Sequence, residues 1–525
     1  MADEIFLGLD SSTQGLTGTV IDARAGTVVH SENINFDADF KHAYPIQNGV
    51  IRTGREGEVH SAPLLWVDAL DLLCSRLKTA GVPLDRVRCI AGSGQQHGSV
   101  YLNDRAGDTL AGLIPGKSLA AQLAGIFTRA TAPVWMDSST GAECAEIEAA
   151  VGGRAALIRL TGSAAFRRFT GPQIRKFAKE QPKAYDRTAC IQLVSSFMAS
   201  VLAGKLVPID PGDGAGMNLM NIKTRKWSRK ALAATADGLG RKLLPIQPSD
   251  TVAGTISPYF TGTYGFDPAC QVALFTGDNP ASSIGVGMVA PGMAAISLGT
   301  SDTMFAYMRD LRTSAKGEGV VFGSPTGDYM SLICMANGSL ARERVRDWYK
   351  LDWAGFSEAL RATPPGNNGG IMLPWFETEI YPPLAGVRRY GLDEKAAAAN
   401  VRAVVEAQAM ALRIHSEWMG VPTTSIRVTG GASVNRGILK VFADVTQARV
   451  ARFQVPNSAA LGAAIRAHHA WRKAAGRPIS WPEAVKPFTR PMAGSEIEPD
   501  RSLKAVYDDM RRRYIGCEER AAKDE

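Results

Sequence analysis

This chain has no paired cysteines, no long apolar run and no concentrated basic stripe, and each absence narrows what it does. Its seven cysteines, at positions 74, 89, 144, 190, 270, 334 and 517, stand singly, with no CxxC pair and no Cys/His spacing that would hold zinc. Reduced, mostly structural thiols are expected. No stretch approaches the roughly 20 apolar residues that cross a bilayer. The opening MADEIFLGLD carries acids where a secretory signal would carry Lys or Arg. A cytoplasmic protein without a membrane partner is expected. The net charge of +8 comes from 59 basic and 51 acidic residues. Apart from short clusters such as RKFAK and RRRY the basic residues are dispersed, which serves solubility and argues against a nucleic-acid partner.

The standard nucleotide loops are missing as well. AGLIPGKS holds Gly112, Gly116, Lys117 and Ser118, but its glycines are one residue too close for a Walker A loop. GSGQQHG, from Gly92 to Gly98, is one residue off the dinucleotide fingerprint, and no helical pattern follows it directly.

At 525 residues the chain exceeds the size at which one hydrophobic core stops growing, so two large domains are expected. Apolar segments alternate with amphipathic ones throughout, the pattern of α/β domains. IFLGLDSS and TGTVID flank a short turn and read as a hairpin, LLWVDALDLLCSRL has helical periodicity, and CIAGSGQQHGSVYL reads as strand, glycine loop, strand. AAISLGTSDTMFAYM, residues 294 to 308, echoes the opening of the chain and suggests a distant internal duplication. With a turn at Val289-Ala290-Pro291-Gly292, the domains are set at 1–288 and 289–490, followed by a charged extension, 491–525, whose CEERAAKDE end is expected to fray.

Three kinds of segment carry candidate chemistry. VALFTGDNPASSIGVG (272–287) is an apolar strand that ends at Gly277 and then presents Asp278 and Asn279. Such strand ends collect ligands in α/β sheets, although Asp, Asn, Gly and Pro are equally the residues of an ordinary turn. LGLDSSTQG (7–15) and SLGTSDT (297–303) each place an acid beside a turn of hydroxyl residues. Backbone N–H groups and hydroxyls bind phosphate oxygens, and an adjacent acid can hold the Mg²⁺ that accompanies ATP. In VTGGASVNRGILKVFADV, a strand ends at Thr429, Gly430 and Gly431 permit close approach to backbone, and a helix with an apolar face follows. Histidine in GQQHG reads alone either as a sugar contact or as a satisfied core residue.

LGLDSSTQG, GQQHG, FTGDNPA, SLGTSDT and GGASVN, in this order over about the first 470 residues, resemble the FGGY carbohydrate kinases of the actin and hexokinase superfamily. VWMDSST and RRFTGPQIRK point further to that family's eukaryotic-type xylulokinase branch. The resemblance implies an α/β fold of two ribonuclease-H-like domains with a central cleft, the first binding a sugar and the second ATP. It implies that Asp278 is the general base, that Gln96, His97, Arg168 and Asn279 contact the sugar along with Asp278, and that Asp10 and Asp278 face Mg²⁺. Asp10, Thr13, Gly299, Thr300 and Ser301 would face the phosphates, and Trp353, Gly430, Gly431, Ala432 and Asn435 would line the adenosine pocket. The partners implied are a small sugar and ATP, with a homodimer left open. The expected activity is ATP-dependent phosphorylation of a ketopentose, first D-xylulose to D-xylulose 5-phosphate. Another ketose or polyol, or a sugar-responsive binding protein that has lost transfer, remain the alternatives. Two departures stand out: Thr17 occupies a position where many relatives carry lysine, and Ser12 one where glycine is common.

Overall fold

The computed structural model describes residues 4–453 and 457–524, which form two compact units. The elements that position the site are, in chain order, strands β1 (Ile5–Ser11), β2 (Gly15–Asp22), β3 (Thr27–Asn35), β4 (Val87–Gly94), β5 (Val252–Thr255), β6 (Gln271–Ala273), β7 (Thr276–Gly277), β8 (Met293–Leu298), β9 (Asp302–Met308), β10 (Tyr329–Met335), β11 (Ser425–Thr429) and β12 (Arg449–Arg452). The helices are α1 (Pro63–Thr79), α2 (Asp278–Gly285), α3 (Ser339–Trp348), α4 (Trp353–Ala362), α5 (Ala397–His415), α6 (Arg436–Thr446), α7 (Ser458–Ala474) and α8 (Lys504–Lys523).

The first unit holds 4–289, 321–329 and 457–489. Its sheet runs β5-β6-β4-β1-β2-β3, with β7 also paired to β4. β1 is antiparallel to β2 and parallel to β4, and β4 is parallel to β6 and β7. Apolar runs such as IFLGL are buried on both faces, as expected of strands with parallel neighbours inside an α/β layer. Pro63 opens α1, where its missing N–H costs nothing, and Leu70, Leu73 and Leu77 at helical spacing are fully buried. The Ala/Gly-rich helix α7 lies so close to its neighbours that side chains are excluded. A Cβ on Gly8 of β1 would stand 2.1 Å from the Ala460 carbonyl oxygen, and one on Gly285 of α2 would stand 1.9 Å from that of Ser458.

The second unit holds 290–320, 330–453 and 490–524. Five strands of its sheet run β10-β9-β8-β11-β12, with β8 antiparallel to β9 and parallel to β11, and β11 parallel to β12. This is the arrangement of β3-β2-β1-β4-β6 in the first unit, so the echo seen in the sequence is a repeat of topology. The repeat is not residue for residue. Asp10 sits on the first arm of its hairpin, opposite Thr17, whereas Asp302 opens the second arm, opposite Leu298.

Two expectations differ from what is found. Residues 457–489, placed in the second domain from sequence order, pack with the first unit, because α7 buries its small-residue face on β1 and α2. The charged end does not fray: α8 runs through Lys523, and Tyr507, Met510, Tyr514, Cys517 and Ala521, spaced three and four apart, form its buried face. The Tyr507 hydroxyl donates to Glu406 at 2.9 Å and accepts from Arg402 at 2.8 Å. Among the described residues no helix is long and apolar enough to cross a membrane, and all seven cysteines are free thiols.

His415, at the end of α5, fastens α8 and the 314–318 turn by bonds of 3.1 Å to both Glu518 and Glu318. Burial alone would lower its pKa, but the two carboxylates outweigh burial and raise it from 6.5 to about 9. A raised folded-state value means that this anchor is fully present below pH 6.5 and is lost as pH rises through about 9. The gap in Tm between wild type and His415→Gln, measured by calorimetry, is therefore expected to be widest near pH 6 and to shrink steadily toward pH 10.

Candidate active site

The first unit brings three strand ends together. Parallel pairing places Asp10 beside Ser93 and Ser11 beside Gly94 on one side of β4, and Thr276 and Gly277 beside the same two residues on the other. Asp278 follows directly as the first residue of α2, so two carboxylates flank the carboxyl end of the central strand. Ligands collect at such ends in α/β sheets. The turn suggested by Gly-Asp-Asn-Pro is a helix start, where the same residue types are favoured.

Asp10 accepts a 2.7 Å hydrogen bond from the Ser93 hydroxyl, and burial raises its pKa. Burial first, and then the charge of Asp10, push Asp278 up to about 7. The Asp278 carboxylate accepts from the Asn279 backbone N–H at 2.8 Å and from its side-chain amide at 3.1 Å. That amide also donates to Gln96 Oε1 at 2.6 Å, which links the β4 loop to α2.

The loop after β4 holds Gln95, Gln96 and His97. His97 has φ +74, a left-handed conformation that is costly for a residue other than glycine, and such strain gathers at functional sites. Its Nδ1 lies 2.9 Å from the Gly216 carbonyl oxygen, so Nδ1 carries the proton and donates, leaving Nε2 as an acceptor. Burial, then the positive charge of Arg168, lower its pKa to about 3 and keep the ring neutral. The ring stacks on Phe169 with centroids 4.3 Å apart, and the Arg168 guanidinium lies 5.3 Å from the Phe166 ring centroid. His97 is thus buried and bonded to backbone, as the core reading expects, yet held in strained geometry beside Arg168. Thr13, in the turn after β1, accepts from Trp135 Nε1 at 2.7 Å.

Several residues escaped the sequence reading. Asp213, in the Gly-rich stretch PGDGAG, is 1% exposed, accepts from the Ser195 hydroxyl, and has its pKa raised well above the ordinary value. Burial is the first cause, with the charges of Asp210 and Asp278 adding to it against the Ser195 bond. Trp135 is 45% exposed beside the first hairpin. Asp213 Oδ1, Thr276 Oγ1, Ser11 Oγ and the side-chain nitrogens of Gln95 and Gln96 are buried without a hydrogen-bond partner among the described residues. The only signal available for Asp213 was an acid among glycines, which reads equally as a loop.

The second unit carries a separate cavity of 680 Å³. It brings together Gly299, Trp353, Gly431, Ala432 and Asn435 of the expected nucleotide residues, with Ser339 and Arg342 added from α3. Thr300 and Ser301 form the turn between β8 and β9, outside the lining, and Gly430 lies behind it. Gly430 has φ +89, and a Cβ there would stand 2.5 Å from the Leu298 carbonyl oxygen, so it serves the packing of two strand ends. Gly431 faces open space. Trp353 opens α4 and is 43% exposed, and the Arg346 guanidinium stands 4.7 Å from its ring centroid. Asn435 caps α6 by accepting from Gly437 and Ile438 N–H at 3.0 and 3.2 Å, and its amide donates to Ser357 Oγ at 2.8 Å.

Residues 130–285 match the profile of the N-terminal domain, and residues 294–471 that of the C-terminal domain, of the FGGY family of carbohydrate kinases. The chain belongs to this family. It is a carbohydrate kinase, a phosphotransferase. It is 42% identical over 525 residues to the xylulose kinase of Rattus norvegicus, covering 98% of this chain and 96% of that protein. It is 41% identical over 502 residues to xylulose kinase 2 of Arabidopsis thaliana, covering 91% and 90%. Among solved structures, the xyloylose kinase from Brucella ovis superposes with a TM-score of 0.82 at 23% identity, covering 99% of this chain and 100% of that one. The Plasmodium falciparum glycerol kinase with ADP superposes with a TM-score of 0.76 at 17% identity, covering 100% and 98%. These two likenesses establish the two-domain α/β fold of the family. The C-terminal profile extends into α7, which packs with the first unit, so family boundaries and compact units divide the chain differently.

Proposed function

We propose that this kinase transfers the γ-phosphoryl group of ATP to D-xylulose, giving D-xylulose 5-phosphate and ADP. The observation that carries this reading is the convergence at the β1, β4 and β7 strand ends of Asp278 with buried polar atoms that have no partner among the described residues, including the Gln96 amide nitrogen, Asp213 Oδ1 and Thr276 Oγ1. A mixed set of donors and acceptors suits a polyol, and leaving them unpaired is costly. The relatives named xylulose kinase, 41% and 42% identical over nearly their whole length, support the choice of sugar.

In this reading the sugar hydroxyl gives its proton to Asp278 as its oxygen bonds to the γ-phosphorus, and the bond from that phosphorus to the bridging oxygen breaks to release ADP. A carboxylate whose pKa is raised to about 7 holds a proton well enough to act as base near neutrality. Neutral His97 offers Nε2 to a sugar hydroxyl and Arg168 supplies donors, while Asn279, whose amide hydrogens go to Asp278 and Gln96, offers its Oδ1 as an acceptor. Burial raises the cost of ionising both carboxylates and the charge of Asp10 adds to it at Asp278, and neither is bonded by a lysine or arginine among the described residues. This pair fits a divalent cation held by oxygen ligands, with Asp10 as the main holder. When bound, such a cation would offset charge on the phosphoryl oxygens. The cavity of 680 Å³ in the second unit is of a size for a nucleoside. There Trp353 offers a ring face, Gly431 and Ala432 offer bare backbone, and Gly299, Thr300 and Ser301 stand toward the phosphates.

A coupled ADP-release assay over a panel of ketoses and polyols tests the assignment. D-Xylulose is expected to give the highest kcat/KM, with ADP release dependent on the sugar. Preference for another sugar by tenfold or more would move the substrate, and no release with any of them would show that transfer has been lost.

A further inference from the structure

The walls of the 680 Å³ cavity come from four separate pieces of chain: Gly299 at the end of β8, the first turn of α3 with Ser339 and Arg342, the start of α4, and the start of α6. The last two are tied by the Asn435 to Ser357 bond. The first two are tied from beneath. Asp302 and Arg342 are 1% and 0% exposed, and the guanidinium grips the carboxylate with both terminal nitrogens, at 2.8 and 3.1 Å. Arg342 also donates to Gln408 Oε1 of α5 at 2.7 Å, and Gln408 Nε2 donates to the carbonyls of Asn337 and Gly338, both at 2.8 Å. The contact is tight above this network: Ser339 N–H donates to Gly299 O at 2.8 Å, and a Cβ on Gly338 would stand 2.7 Å from Thr300 O and Asp302 N.

A buried ion pair is a weak source of net stability, because desolvating two charges offsets their attraction, but a two-pronged Arg–carboxylate pair fixes distance and orientation. We propose that Asp302, Arg342 and Gln408 are the positioning unit of the nucleotide site. They set the spacing between the Gly299–Ser301 turn and the first turn of α3, so that nucleotide affinity depends on them and sugar affinity does not. This rests on reading the cavity as the nucleotide site. It also separates the two hairpin acids: among the described residues Asp10 is hydrogen-bonded only by the Ser93 hydroxyl, whereas Asp302 is engaged by the Arg342 guanidinium and holds structure.

The test compares wild type, Arg342→Lys, and the charge-free double variant Arg342→Met with Asp302→Leu, which avoids an uncompensated buried charge if the single variant does not fold. Calorimetric titration with ADP gives nucleotide affinity, steady-state assays give the sugar KM, and a thermal scan gives Tm. The expected result is an ADP Kd raised tenfold or more in the folded variants, with the sugar KM within twofold of wild type. A folded double variant whose ADP Kd stays within twofold overturns the inference, as does a sugar KM that moves as far as the ADP Kd. Gly431→Val, which projects into the cavity, separates the premise. Unchanged ADP affinity in that variant removes the cavity reading, and the inference with it.

Discussion

Asp278→Asn is expected to lower kcat on the best sugar by about 10² to 10⁴, a barrier increase of roughly 3 to 5 kcal/mol, while the sugar KM changes little. The amide keeps the shape of the side chain and can still receive the Asn279 backbone N–H bond of 2.8 Å, so the N-terminus of α2 and the Gln96–Asn279 link stay in place. What it cannot do is accept the hydroxyl proton. Asp10→Asn should fail differently. Its side chain is bonded only by the Ser93 hydroxyl among the described residues, and its proposed part is to hold the cation, so its defect should be relieved in part by raised Mg²⁺ concentration. No concentration of metal restores a missing proton acceptor. Steady-state kinetics of both variants over a range of Mg²⁺ separates the two roles, and equal rescue of both would show that Asp278 serves the cation alone.

Gly285→Ala is expected to lower both stability and rate. Gly285 closes α2, the helix that Asp278 opens, and its added Cβ would stand 1.9 Å from the Ser458 carbonyl oxygen of α7. A Cβ on Gly462 would likewise stand 1.9 Å from the Ala281 carbonyl oxygen, so the two backbones are in close contact from both sides and neither helix can yield by turning a side chain away. Both neighbours are backbone, and the helices must separate. Overpacking of this kind costs about 3 kcal/mol, which at an unfolding entropy of about 2.1 cal/mol/K per residue lowers the Tm of a unit this large by about 4 °C. A shift of the helix carries Asp278 with it, and about 1 Å of misplacement at a reacting group costs on the order of 100-fold in rate. Gly107→Ala, on a helix with nothing within 4 Å of the new methyl group, is the control and should change neither. Thermal scans and kcat measured on the same preparations decide it: a normal Tm in Gly285→Ala would mean that the α2 and α7 contact is loose.

The parts of this fold that could be read in the sequence are those where local pattern and tertiary role agree. The β1/β2 and β8/β9 hairpins follow from apolar runs broken by hydroxyl-rich turns, α1 from its period of leucines, and the β11 to α6 junction from paired glycines followed by an apolar face. Asp278 was ambiguous for a physical reason, since Gly-Asp-Asn-Pro suits a tight turn and a helix start alike, and only the pairing of β7 with β4 selects the second. Asp213 was hidden because its partners, Ser195 and the charge of Asp278, are remote in sequence. The return of α7 to the first unit could not be seen from chain order; its run of alanine and glycine signals close packing but not against which strand. α8 was masked by charge, because its buried positions alternate with Arg, Lys and Glu that together look like a solvated tail.

The central claim is sugar phosphorylation at a primary hydroxyl, and ³¹P nuclear magnetic resonance of the wild-type protein with ATP, Mg²⁺ and D-xylulose tests it directly. The expected spectrum shows ADP growing in step with one phosphomonoester signal, split by the two hydrogens of the sugar's terminal carbon. ADP accompanied only by inorganic phosphate, or ATP left unchanged while the protein remains folded, would contradict it.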